Sequence, residues 1–206
     1  MFLVDSHCHL DYAAPEVRSE VIARARDAGV RTMLTISTRL GEFETIRSIA
    51  HSDPDIWCSV GVHPHEAAAE PEADCAALRA LAVDPKVVGI GETGLDFHYD
   101  HSPRPRQAEL FRAHCAATCE TGLPLIVHSR EADPETIQIL REERPPSGVI
   151  HCFSTGKELA EAALEIGFYV SLAGIVTFKK AEGLRGIVRG LPLNRLLIET
   201  DAPYLA

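Results

Sequence analysis

A chain of 206 residues with 46% hydrophobic content is long enough to enclose a sizeable core and too apolar to remain disordered. Its 20 Lys and Arg against 30 Asp and Glu leave a formal charge of −10, which argues against broad electrostatic adhesion to nucleic acid; it does not exclude a nuclease, because divalent cations reverse the local field of a carboxylate-built site. The longest apolar stretches hold about six residues, far short of the ~20 that span a bilayer, and a strand-like run beginning at Phe2 leaves no place for a secretory leader, so a cytoplasmic protein without membrane attachment is expected.

Strand-like runs and amphipathic helical segments then alternate along the chain. The run at 2–5 precedes a helical period over 16–28, and the run at 32–36 precedes one over 41–50. Next come the run at 56–60 with a helix over 74–82, and the run at 87–91 with a helix over 104–120. The runs at 125–128, 149–152 and 168–172 are followed by helical segments at 133–143, 157–166 and 181–189, and a last run occupies 196–200. Gly29, Gly122 and Gly167 stand where helices stop, and Pro103, Pro105 and Pro134 where they start. Such alternation requires parallel strands joined by crossovers, and eight strands favour a closed (β/α)8 TIM barrel over an open doubly wound sheet. A barrel of this kind takes ~250 residues, so the expectation is one domain over 1–206, shortened at its C-terminus and lacking the closing helix.

Six cysteines in a chain expected in the cytoplasm read as buried free thiols. Cys8 and Cys152, beside polar residues in strand-like runs, are expected to turn into the core by strand alternation.

Polar residues collect at the ends of the strand-like runs. His7 and His9 lie two apart, which puts both on one face of an extended chain and suits two ligands of one metal, although two solvated loop residues satisfy the same spacing. The runs that follow end in His63 and His65, Glu92 and Asp96, His128, His151, and Glu199 with Asp201. The C-terminal ends of barrel strands are where this fold carries its catalytic groups. Histidines and carboxylates crowded on one rim gain little unless a cation fills the centre.

The strings VDSHCHL at 4–10, GVHPH at 61–65, GIGETGLD at 89–96, HCFS at 151–154 and ETDAPYL at 199–205 resemble the TatD family of metal-dependent deoxyribonucleases, within the amidohydrolase superfamily. The resemblance runs from Phe2 to Leu205. It implies a barrel with two divalent ions per chain, Mg, Mn or Zn: His7, His9 and Asp201 on one, His128 and His151 on the other, and Glu92 bridging both. It also implies a basic loop and a closing helix beyond this point. Asp201 is expected to act as general base and Glu92 as the second catalytic carboxylate. His63 is expected on the substrate side, contacting a phosphate or orienting a ligand. His65 reads as a loop residue, Asp96 as a support for Glu92 or a solvated carboxylate, and Lys179 with Lys180 as a solvated pair or a phosphate contact. The three spaced glycines at 89, 91 and 94 mimic a dinucleotide fingerprint, but no helix opens after them, so they are expected to let the backbone turn beside the metals.

The implied activity is hydrolysis of DNA phosphodiester bonds at strand ends, the partner being DNA or another phosphoester, with no stable protein partner. No aromatic platform rich in Arg and Lys stands out, so weakly sequence-dependent binding centred on terminal phosphates is expected. Two other readings use the same residues: an amidohydrolase acting on a small ester, lactone or amide, and a non-catalytic shortened barrel that associates through an exposed apolar face.

Overall fold

The computed structural model describes residues 2–204. In it, strand and helix alternate as the periodicity predicts: β1 (Leu3–Cys8), α1 (Pro15–Asp27), β2 (Val30–Thr35), α2 (Phe43–His51), β3 (Ile56–Val60), α3 (Cys75–Leu81), β4 (Val87–Asp96) and α4 (Arg104–Thr121). The second half continues with β5 (Leu125–Arg130), α5 (Asp133–Glu143), β6 (Gly148–Ile150), α6 (Lys157–Glu165), β7 (Tyr169–Leu172), α7 (Glu182–Arg189) and β8 (Leu196–Ile198). The eight strands are parallel and ordered β1 to β8 around one sheet, a nearly closed TIM barrel with helices outside. Among the described residues no helix follows β8, and no helix is long and apolar enough to cross a membrane.

Met33, Ile56, Ile90, Leu125, Ile150 and Val170 come from successive strands into one buried cluster, which Phe111 of α4 and Phe168 before β7 fill from outside. The ring closes without a strand ladder between β8 and β1. The segment after β8 lies along the end of β1 instead: Asp201 N–H donates to the His7 carbonyl (2.9 Å) and His9 N–H to that of Ala202 (2.8 Å). The buried Asp5 carboxylate takes the Thr200 N–H at 3.0 Å and the Thr200 hydroxyl at 2.6 Å.

The strand limits differ from the expected ones where they matter for the site. β1 runs on to Cys8, so His7 is a strand residue, while β6 stops at Ile150 and β8 at Ile198, two residues earlier than expected. β4 does not turn at its glycines; it stays extended to Asp96, and all of it but Val88 is buried. Gly94 has φ +133°, and a Cβ there would run into the His128 backbone, so the glycine allows β4 and β5 to approach closely.

All six cysteines are free, but only Cys8, Cys58 and Cys115 are buried. Cys75 and Cys152 are half-buried, and Cys119 is exposed one turn beyond Cys115 on α4. Cys152 corrects the alternation argument: it lies beyond β6 in a left-handed conformation, φ +43°, and lines the cavity at the C-terminal mouth rather than the core.

Candidate active site

The C-terminal ends of the strands bring together every residue expected to hold metal. β1 supplies buried His7 and, just after it, buried His9; β4 supplies Glu92 from its buried middle; β5 supplies His128; and the segments after β6 and β8 supply His151 and Asp201. Glu92 is central. Its Oε2 lies 3.3 Å from His7 Nε2, and its Oε1 lies 2.7 Å from His151 Nε2, 3.1 Å from His128 Nδ1 and 3.5 Å from His63 Nε2. Asp201 Oδ1 lies 3.7 Å from His7 Nε2 and 3.5 Å from His9 Nε2. The ligand atoms of His7, His9 and Asp201 fall within 4.8 Å of one another, as do those of His7, Glu92 and His151 and those of His63, Glu92 and His128. His63, expected on the substrate side, thus sits within the same imidazole and carboxylate cluster and also lines the cavity.

Charge and burial compete at this point. Burial raises the carboxyl of Glu92, but His151, His63, His7 and His128 outweigh it and hold the group well below the usual carboxylate range. Burial lowers the rings of His7 and His63. It also works against a charged His151, whose ring is nonetheless held well above its ordinary value by Glu92 and Glu199. Both ring nitrogens of His7, Nδ1 of His9, Nδ1 of His151 and one oxygen of Glu199 are buried without an aligned hydrogen bond. Native interiors leave few polar atoms unpaired, and here they converge. A cluster of imidazoles and carboxylates short of partners fits divalent cations, whose ligand preferences match that donor set.

Further side chains hold these groups in place. The solvated alternative for Asp96 is wrong: the residue is buried, and its Oδ2 faces His128 Nε2 at 3.2 Å and His65 Nε2 at 2.9 Å. Its Oδ1 accepts the backbone N–H groups of His98 (3.0 Å) and Tyr99 (2.9 Å). His65, read as a loop residue, is therefore tied into the site. Burial raises the Asp96 carboxyl, but hydrogen bonds from His128, His65 and Tyr99 take it far below the usual value. Gln107 of α4 accepts from the Asp96 N–H (2.8 Å) and donates to the Ser102 carbonyl (2.8 Å). His114, also on α4 and fully buried, accepts the Val62 N–H at Nε2 (3.0 Å) and lies 2.8 Å from the Leu110 carbonyl at Nδ1, fixing the backbone beside His63.

Two carboxylates take roles that the sequence reading did not assign: Glu199, noted there only as a polar residue at a strand end, and Asp5. Glu199 Oε1 accepts the Cys152 N–H (2.6 Å) and lies 3.3 Å from His151 Nδ1. Asp5 braces Thr200 as described above. Each stands two residues before a site residue, Asp201 or His7, and that spacing alone was a usable signal.

The cluster floors a cavity of about 1120 Å³. Lys179 and Lys180 are exposed and do not line it; Arg39 and Arg130 do. Tyr12, Tyr99 and Tyr204, three of the four tyrosines in the chain, also stand around the mouth. Their positions, 12, 99 and 204, are too far apart for any local pattern to have joined them.

Comparison with known proteins agrees with this architecture. The family model described as TatD related DNase matches residues 4–206. The uncharacterized metal-dependent hydrolase YcfH of Escherichia coli K12 is 43% identical over 212 residues, covering 100% of this chain and 79% of that protein. The 3'-5' ssDNA/RNA exonuclease TatD of Erwinia tasmaniensis is 40% identical, covering 91% of this chain and 74% of its own length. Among solved structures, the TatD homolog YJJV of Escherichia coli K12 superimposes with a TM-score of 0.90 at 28% identity, over 98% of this chain and 80% of that one. Sequence match along the chain and a shared barrel together place this protein in the TatD related DNase family, a family of metal-dependent hydrolases.

Proposed function

We propose that this protein is a deoxyribonuclease that hydrolyses phosphodiester bonds at DNA strand ends with two divalent ions, Mg, Mn or Zn, bound at the cluster. The observation that carries the reading is Glu92, whose two oxygens face separate groups: Oε2 toward His7, which adjoins His9 and Asp201, and Oε1 toward His128 and His151. A carboxylate so placed suits a bridge between two cations. Ions held there would polarise a phosphoryl oxygen and lower the pKa of a bound water.

The roles of the side chains follow from position. His7 and His9 with Asp201 would hold one ion, and His128 and His151 the other. Asp201 is the proton acceptor, since its carboxylate borders the cavity while its backbone is pinned to β1. His63 meets the phosphate: its Nδ1 is occupied by the His65 N–H (3.1 Å), which leaves Nε2 to face the cavity floor. Asp96 and Glu199 orient His128 and His151 from behind, as partners of ligating imidazoles do. A relative named as an ssDNA/RNA exonuclease supports the choice of nucleic acid.

The test is purified protein with added Mg2+ or Mn2+, offered single-stranded DNA, duplex DNA and a small carboxylic ester. Release of nucleotides from DNA is expected. Intact DNA with a cleaved ester rejects the nuclease reading.

A further inference from the structure

We infer that two aromatic walls on opposite sides of the cluster, Tyr12 with Tyr204 and Tyr99 with His101, each stack one unpaired base of a single-stranded nucleic acid. The inference rests on the phosphodiesterase reading above and adds how the substrate is gripped.

The first wall grows from β1 and β8. The Tyr12 ring lies parallel to that of His9, at 12° with centroids 5.1 Å apart, and Tyr204 meets Tyr12 edge-on at 5.7 Å. The second grows from β4 and β5. Tyr99 and His101 stack at 12° and 5.6 Å, His65 meets both edge-on, and the Arg130 guanidinium lies 4.8 Å over the Tyr99 ring. In a ring ordered β1 to β8, the β8–β1 seam and the β4–β5 pair face each other across the mouth. The cluster lies between them, for His9 touches the first wall and His65, bonded to Asp96, the second.

Packing alone does not explain these rings. Tyr12, Tyr99 and Tyr204 are 46%, 50% and 62% exposed, and they border a cavity rather than a helix interface. An aromatic face left in water beside a catalytic cleft is what an unstacked base can cover. Bases paired and stacked within a duplex cannot reach such faces, so the arrangement selects single strands and frayed ends. The charge balance points the same way. Arg39 is tied to Glu42 and Glu66, which leaves Arg130, without an ion pair among the described residues, as the free cationic side chain lining the cavity, so stacking adds to what that one arginine and ions at the cluster could hold of the backbone.

The experiment is fluorescence titration of a short single-stranded oligonucleotide carrying 2-aminopurine, with Ca2+ replacing Mg2+ to slow cleavage. Stacking quenches the probe. Tyr12→Leu and Tyr99→Leu are each expected to raise Kd by about tenfold, the weight of one stacked base, and to lose the quenching; Tyr12→Phe and Tyr99→Phe, which keep the ring, restore both. The matching duplex is expected to bind more weakly than the single strand. Leucine variants that bind and quench like the parent overturn the inference alone, provided the parent cleaves DNA. A parent protein that neither binds nor cleaves any oligonucleotide overturns this inference and the nuclease reading together.

Discussion

The β4–β5 side of the barrel and the β8–β1 seam carry comparable chemistry on unequal foundations. β4 has ten residues, all but Val88 buried, pairs with β5 through to Asp96 and Arg130, and is backed by the 18-residue α4. β8 has three residues, none fully buried, and joins β1 through the segment that follows it. Val4 is 45% exposed and Ile198 51%, and neither α1 nor α7 contributes a fully buried residue. His128 therefore stands on a strand ladder and Glu92 in the buried middle of β4, at a shift in its pairing with β5 and with its N–H donated to the Ser37 carbonyl (3.1 Å), whereas Asp201 stands on backbone hydrogen bonds to β1 and on the Asp5 brace of Thr200. The contrast teaches that one half can be rigid enough to fix Glu92 while the other yields, because local opening free energy follows local burial and pairing.

The sharpest way to probe the comparison is through the two carboxylates. Glu92→Ala is expected to lower kcat/KM by about a thousandfold, ~4 kcal/mol of barrier, and Asp201→Asn by a similar factor, with circular dichroism showing the fold retained. Unchanged turnover in either variant rejects that residue's role. Gly94→Ala comes next. A side chain at φ +133° set against the His128 backbone should cost about 3 kcal/mol or more in a urea titration, since the rigid half cannot move aside. Stability equal to the parent's would show that the β4–β5 contact is softer than its burial implies.

The pH dependence of stability tests the α4 backing. Burial pushes the His114 ring down to about 4 from the ordinary 6.5, and Nε2 must stay unprotonated to accept the Val62 N–H. As pH falls, the unfolded chain takes up this proton first. The contribution of the neutral ring is thus complete above pH 6.5 and is lost toward pH 4, by about 3 kcal/mol over that window. His114→Gln should flatten the fall in urea stability between those values, and an identical slope in parent and variant disproves the assignment. The smallest effect belongs to the seam. Ile198→Ala is expected to change stability by less than about 0.5 kcal/mol, whereas Ile90→Ala, at a fully buried position of β4 across the barrel, should cost about 3 kcal/mol. Similar costs at both positions would erase the distinction between the halves.

Much of this architecture was legible along the chain. Short β-branched or apolar runs and the amphipathic segments between them marked out the eight strands and seven helices, because the hydrophobic pattern reports which part of a local element is buried. His7, His9, Glu92, His128, His151 and Asp201 stood out because each is a polar residue at the end of an apolar run. The errors share one cause. Gly91 and Gly94 read as turn residues because their role, letting β5 lie close, belongs to a strand distant in sequence. Cys152 was assigned by alternation where β6 had already ended, and Asp96 and His65 were undervalued because they meet only through the barrel.

The sequence by itself determined which segments are strands, which are helices, and which polar residues lie at their ends, since these depend on neighbours a few positions away. Tertiary structure alone decided that Glu92 faces four imidazoles, that Asp96 binds His65 and His128, and that tyrosines from positions 12, 99 and 204 ring one mouth. Those contacts exist because the parallel strands curl into a nearly closed ring, and no local pattern encodes which strand ends will face one another across it.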